Sequence, residues 1–119
     1  MAEHNSLGKK GEQMAIDLLL KKGYDILEKN YRYLKNEIDI IAQKGGVLVA
    51  VEVKTRSTIE FGNPQDFVKP KQIQSLVKVI DYYVNEQNLD VEVRFDIVAI
   101  IKNKTGTRIE HLEDAFYHF

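Results

Sequence analysis

A chain of 119 residues, 44% hydrophobic and 29% charged, is long enough for one globular domain over residues 1–119 that buries roughly two-thirds of its unfolded surface. With no cysteine there is neither a disulfide framework nor a zinc ribbon, and His4, His111 and His118 are too scattered for a metal cluster, which leaves hard oxygen ligands and hence Mg2+ or Mn2+. Its 17 basic and 18 acidic side chains give a formal charge of −1, so charge alone does not announce a nucleic-acid binder.

The opening MAEHNSLGKK is too polar for the apolar core of a secretory signal, and no later run reaches the length of a membrane span, so a cytoplasmic protein is expected. A first helix is predicted to start after Asn5 or Ser6, either of which can cap it, and to reach about Lys22, with Gly23 ending it in the left-handed conformation. Leu7, Gly11, Met14, Ala15, Leu18 and Leu19 form its apolar face. Gly8 and Gly11 are poor helix formers and imply close packing on a neighbouring element. Glu12 borders that face: it either points inward or is a surface glutamate favoured by the helix dipole, and this segment alone favours the surface.

Residues 24–33 read as a first strand, in which Tyr31 and Tyr33 alternate with Arg32 and are expected to pack rather than to stack on a ligand. Through Leu34-Lys35 it leads into two β-branched strands, Glu37 to Ala42 and Val47 to Lys54, joined by a Gly45-Gly46 turn. With those glycines as the two loop residues, Lys44 faces Val47, Asp39 lies opposite Glu52, and Glu37 lies opposite Lys54. Alternation then puts Glu37 and Asp39 on one face, with Glu52 and Lys54 on the matching face of the partner. Facing Cβ atoms are about 4.5–5.5 Å apart, so two carboxylates so placed repel unless a cation lies between them, and a divalent metal would resolve the conflict. Lys54 is placed to reach a substrate phosphate or the attacking water. The alternative is a solvated hairpin face with Glu37 and Lys54 as an ordinary cross-strand pair. Against it, both faces of the Val47 to Lys54 strand are apolar, so it is expected to be buried on both sides.

The connection from Thr55 to Lys69 has no clean period and contains Gly62-Asn63-Pro64, as a functional or mobile segment would; Phe61 and Phe67 are expected to anchor it, and Arg56 is either a phosphate contact or a solvated side chain. Pro70 suits a first helical turn, and Ile73, Leu76, Val77, Ile80, Tyr83 and Val84 continue an amphipathic helix to about Glu86. A strand from Val91 to Ile101 follows, and strand-helix-strand order predicts a right-handed crossover and a parallel pair. Arg94 and Asp96, on one face of it, are expected to pair with each other or with neighbours. A turn at Asn103 to Gly106, an edge strand from Thr107 to Leu112 and an aromatic tail from Asp114 to Phe119 complete an α/β arrangement, a mixed sheet with helices packed on it. Lys9, Lys10, Lys21, Lys22, Arg56, Lys69, Lys71 and Lys78 either form positive patches or a solvated surface.

Gly8-x-x-Gly11-Glu12-x-x-Ala15, Asn30-Tyr31-Arg32, Glu37-Ile38-Asp39-Ile40-Ile41-Ala42, Val51-Glu52-Val53-Lys54-x-Arg56, Phe61-Gly62-x-Pro64, Lys69-x-Lys71 and Arg94-Phe95-Asp96 occur in this order along nearly the whole chain. Together they resemble the YraN family, bacterial proteins similar to Holliday-junction resolvases and restriction endonucleases. The resemblance implies a restriction-endonuclease-like fold, a mixed β-sheet flanked by α-helices, with a PD-(D/E)xK site that hydrolyses phosphodiester bonds in DNA, branched or repair intermediates among them. Position by position it makes Asp39 and Glu52 ligands of Mg2+ or Mn2+ with the carbonyl of Val53, Lys54 the motif lysine, and Glu12 the helix glutamate of resolvase-like members. Arg56, Lys69 and Lys71 would hold flanking backbone, and a homodimer follows by analogy. Ile38 stands where the motif has proline. The alternative function is a DNA-binding or adaptor module that keeps the fold without cutting, which the near-neutral charge favours; a protein-binding scaffold is a third.

Overall fold

The computed structural model describes residues 2–57 and 68–115, with side chains for 9–57 and 68–115. Phe61, Gly62, Pro64 and Phe67 of the long connection, and Phe119 of the tail, lie outside the described residues. The elements in chain order are α1 (Ala2–Lys21), β1 (Asp25–Tyr33), β2 (Asn36–Lys44), β3 (Val47–Arg56), α2 (Pro70–Glu86), β4 (Glu92–Asn103) and β5 (Gly106–Leu112). Among the described residues no helix is long and apolar enough to cross a membrane.

Helix α1 begins at Ala2, ahead of both expected caps, because Asn and Ser are tolerated inside a helix as well as favoured at its start. It ends as predicted. Gly23 takes a φ of 93°, its N–H donates to the Leu20 carbonyl at 3.0 Å, and the Tyr24 N–H donates to that of Leu19 at 3.0 Å. Helix α2 ends in the same way on a different residue. Asn88, at a φ of 52°, stands in the left-handed position, and the Leu89 N–H closes on the Val84 carbonyl at 3.0 Å.

The five strands lie in the order β1-β2-β3-β4-β5. All pairs are antiparallel except β3 with β4, which is parallel, as the helix between them requires. From Lys44 opposite Val47 to Ile40 opposite Val51, the hairpin holds the register that the Gly45-Gly46 turn predicts. Helix α1 lays Ala15, Ile16 and Leu19 on Ile40, Ala42, Val49, Val51, Val98 and Ile100. On the other face α2 lays Leu76, Val79, Ile80 and Tyr83 on Ile38, Ile41, Leu48, Ala50 and Phe95. The chain is thus an α/β protein with a mixed sheet between two helices, compatible with the restriction-endonuclease-like fold, and β3 is covered on both sides. Tyr31 packs edge-on against Tyr83, their ring centroids 5.0 Å apart, as expected of a strand tyrosine.

At Gly11 the backbone of α1 comes so close to β3 that a Cβ there would collide with Thr55 Oγ1. That contact, which the poor helix former foreshadowed, sets the height of the next residue, Glu12, over the end of the hairpin.

A buried ion network ties β4 to its surroundings. Asp96 is fully buried and accepts two hydrogen bonds from the Arg94 guanidinium, at 2.9 and 2.8 Å, one from the Asp114 N–H at 3.0 Å, and one from His111 Nε2 at 2.7 Å. Lys22 Nζ lies 2.8 Å from His111 Nδ1 and can only donate, so the ring proton sits on Nε2 and points at Asp96. Burial alone would raise the Asp96 pKa, but the bonds from His111, Arg94 and the Asp114 amide outweigh it and the carboxyl is held below its ordinary value. The expected Arg94–Asp96 pairing is present, and the start of the tail is docked by Asp114 and by the Ala115 N–H on the Phe95 carbonyl at 2.8 Å.

Candidate active site

Beyond Ile40 and Val51 the regular ladder between β2 and β3 gives way to a side chain. Asp39 Oδ2 accepts the Val53 N–H at 2.8 Å, so a carboxylate replaces a backbone carbonyl as the partner of β3. The same carboxyl hydrogen-bonds Glu52, which is 6% exposed. The Glu52 pKa is raised to about 9, first by burial and then by the hydrogen bond and charge of Asp39, while Lys54 and a bond from Gln72 of α2 pull the other way. Burial and the neighbouring carboxyl thus favour the protonated form of Glu52 well above the ordinary carboxylate range. Lys54 Nζ stands 3.9 Å from Glu52 Oε1 and is itself mostly buried.

The expected facing of Asp39 and Glu52 thus results in contact, but the expected shared face of Glu37 and Asp39 does not hold. Ile38 and Ile40, which strict alternation would place together, enter the cores on opposite faces of the sheet. Opposite this break, Asn30 of β1 has a φ of 50°, outside strand geometry. The irregularity in both strands turns Glu37 away from Lys54. It bonds instead to Arg32 Nε at 2.9 Å and to Asn30 Nδ2 at 3.1 Å.

Asn30 Nδ2 also donates to Glu12 Oε1 at 3.0 Å. Glu12 is half-buried and leans toward the hairpin, which settles the two readings of it in favour of the inward one. Burial raises its pKa most; Asn30 opposes this, and the charges of Asp39 and Glu37 add to it. One amide thus links a glutamate on α1 to one on β2, and the one on α1 is close enough to Asp39 to feel its field.

Three of the remaining residues are seen in engagements other than a bond to the carboxyl pair. Arg56 is exposed and its guanidinium bonds the Thr55 carbonyl at 2.8 Å. Lys69 caps α2 through its carbonyl, which accepts the Ile73 N–H at 3.0 Å, and its side chain is exposed. Lys71 lines a groove beside Gln72 and Glu37. For Val53 it is the N–H whose partner is seen, Asp39.

Two participants were not legible as such. Asn30 carried one signal, since asparagine is disfavoured inside a strand and tolerates positive φ. Gln72 carried none, because only the docking of α2 brings it to Glu52. Among the described residues no three His, Asp or Glu side chains gather as a metal-holding group. The site offers a pair of hard carboxyl oxygens sharing one proton, and Mg2+ is commonly held by one or two carboxylates with waters completing its shell, so the donor set fits that ion.

The family model of UPF0102, described as an uncharacterised protein family, matches residues 11–100, a span containing every residue of the site. Over the full length of both chains the sequence is 70% identical to a UPF0102 protein of Christiangramia forsetii and 61% identical to one of Flavobacterium psychrophilum. A UPF0102 protein of Phocaeicola vulgatus is 44% identical over 98% of this chain and 97% of its own. The chain belongs to the UPF0102 (YraN) family.

Proposed function

We propose that this UPF0102 protein is a metal-dependent endonuclease that hydrolyses phosphodiester bonds in DNA, with branched or repair intermediates as its substrates. The observation that carries the reading is the Asp39–Glu52 pair: two carboxyls hydrogen-bonded in a buried setting, with Lys54 beside them. An acid raised to about 9 by burial, and further by a second carboxylate, costs stability, and such costs concentrate where chemistry needs them.

Asp39 and Glu52 would hold Mg2+ or Mn2+, with the Val53 carbonyl as a further oxygen. Bound there, the ion would supply a Lewis acid that lowers the pKa of a water and draws charge from the phosphate. Glu52 must give up its proton for this, and Lys54, which favours its ionised form, assists. Lys54 stands beside the pair, where it orients the water and offsets charge developing on the phosphate. Glu12, fixed by Asn30, holds a carboxyl at the rim with a pKa raised toward proton transfer. Arg56, Lys69 and Lys71 hold the backbone on either side of the scissile bond. The cytoplasm is the compartment this chemistry would serve.

The near-neutral charge favours a second reading, a DNA-binding or adaptor module that does not cut. Calorimetry with Mg2+ and Mn2+ on wild type and Asp39→Asn, followed by cleavage of branched, single-stranded and duplex DNA, separates the two. Metal taken up only by wild type, with metal-dependent cutting that Asp39→Asn and Lys54→Ala each abolish, is the expected result. Full cleavage by either variant removes the site assignment, and salt-dependent DNA binding without turnover, unchanged in Asp39→Asn, establishes the adaptor.

A further inference from the structure

A polar groove of about 570 Å³ runs between the β1–β2 turn and the first turns of α2, and its walls carry Lys35, Lys71 and Lys78. The one carboxylate among its lining residues is Glu37, whose charge is already met by Arg32 at 2.9 Å. A chain with a net charge of −1 therefore keeps a locally positive channel here. The channel leads to the carboxyl site along both walls. Glu37 is joined to Glu12 through Asn30, and Gln72 comes near enough to Glu52 to favour its ionised form.

Past the groove, one turn beyond Lys78, the same side of α2 becomes aromatic. Lys71, Ser75, Lys78 and Tyr82 recur at intervals of four, three and four, a stripe about 16 Å long on one side of α2. Tyr82 stacks on Tyr33 of β1 with ring centroids 3.9 Å apart and planes inclined by 13°, joining the two walls one helical turn past Lys78. Both rings are half-buried, so part of the stack meets solvent. Next to it Leu34 is 78% exposed at a φ of 57°, a conformation costly for a branched residue and not repaid by any burial in the fold.

From this juxtaposition, and resting on the nuclease reading, we infer that the groove binds an unpaired DNA strand, its phosphates on Lys35, Lys71 and Lys78 and a base at the Tyr33–Tyr82 stack. A cation-lined channel leading on to aromatic rings is what single strands use, because every unpaired base has a free π-face. A duplex hides those faces, and an acidic peptide has no use for the rings. The strand in the groove would lead its own backbone to the carboxyl pair, which selects a scissile bond at the edge of an unpaired segment.

The test uses Asp39→Asn without divalent metal, so that no cleavage intervenes. The chain has no tryptophan and six tyrosines, so the share of its intrinsic fluorescence that Tyr33→Phe and Tyr82→Phe together remove is the signal of the stack. A thymidine oligonucleotide is expected to quench that fluorescence and to bind more tightly than a duplex of equal length. Adding Lys78→Gln weakens binding by about tenfold and lowers the slope of log affinity against log salt by about 0.7. Lys78→Arg restores both, and Lys104→Gln, an equal charge change on the distant β4–β5 turn, leaves both unchanged. Equal effects of Lys78→Gln and Lys104→Gln overturn the inference, as does an abasic strand or a polyglutamate that binds as tightly as the oligonucleotide. Lys78-dependent strand binding by a wild-type protein that never cuts would remove the nuclease and leave the groove; cutting with no Lys78 dependence would do the reverse.

Discussion

Asp39 on β2 takes the backbone N–H of Val53 on β3 at 2.8 Å, with the carboxyl that also hydrogen-bonds Glu52. One side chain therefore performs a structural and a chemical task, and substitutions can separate them. Asp39→Asn keeps an oxygen for the Val53 amide and loses the charge. It is expected to unfold in urea within about 1 kcal/mol of wild type while losing metal binding. Asp39→Ala leaves the amide without its partner and should cost a further 1–3 kcal/mol or so. Equal denaturation midpoints for the two variants would show that the Val53 bond contributes nothing.

The Glu52 proton sets a pH dependence with a definite sign. An unfolded glutamate titrates at its ordinary value of 4.5, whereas in the fold the group holds its proton to about 9. Between these values the native state binds the extra proton, so the contribution of this group is fully present below 4.5 and is lost as pH rises toward 9. Stability measured by chemical denaturation should fall across that window by at most about 1.4 kcal/mol per pH unit. Glu52→Gln, neutral at every pH, should flatten the curve. Metal uptake by wild type releases the proton, so its affinity should climb over the same range.

Asn30 is expected to be separable into its backbone and its amide. Asn30→Gly accepts the φ of 50° and loses the donor shared by Glu12 and Glu37. It should fold normally while metal-dependent cleavage drops by about tenfold or more, the usual size of an effect on groups that orient a metal site. Asn30→Ala should lose the same activity and about 1 kcal/mol of stability besides, because alanine has no local hydrogen bond to offset the left-handed backbone. Full activity in Asn30→Gly would dismiss the bridge.

Gly11 and Thr55 form a steric pair. Gly11→Ala drives a methyl group into Thr55 Oγ1 and is expected to destabilise by about 1–3 kcal/mol. Thr55→Ala clears that oxygen, so the double variant should be more stable than the sum of the singles by thermal or urea unfolding. Strict additivity would mean that α1 shifts freely on β3.

Buried Asp96 lies opposite Val51 in the sheet but supplies a control, because its side chain is engaged by Arg94, His111 and the Asp114 amide and not by the carboxyl pair. Asp96→Asn leaves Arg94 to the longer, half-exposed ion pair with Glu113 at 3.8 Å and weakens the acceptor facing His111, and about 3 kcal/mol of stability should go with it. The thymidine oligonucleotide should still bind the folded fraction with unchanged salt dependence.

Much of this architecture is written locally. The Gly45-Gly46 turn and the period-two pattern around it determine the register of β2 on β3, because pairing across a tight turn involves only neighbours in the chain. Gly23 and Pro70 mark helix ends for the same reason: a backbone φ is a property of one residue. Asp39, Glu52 and Lys54 could be brought together from sequence since all lie on that one hairpin. The interruption of alternation between Ile38 and Ile40 could not, because it depends on Asn30 in the next strand. Nor could the bond from Gln72 to Glu52, the closing of His111 on Asp96, or the meeting of Tyr33 with Tyr82. Each joins segments far apart in the chain, and only the burial of both sheet faces under α1 and α2 settles which side chains are left to meet. The proton on Glu52 belongs to this second class: its residue type is local, but the loss of water that holds the proton in place is a property of the packed whole.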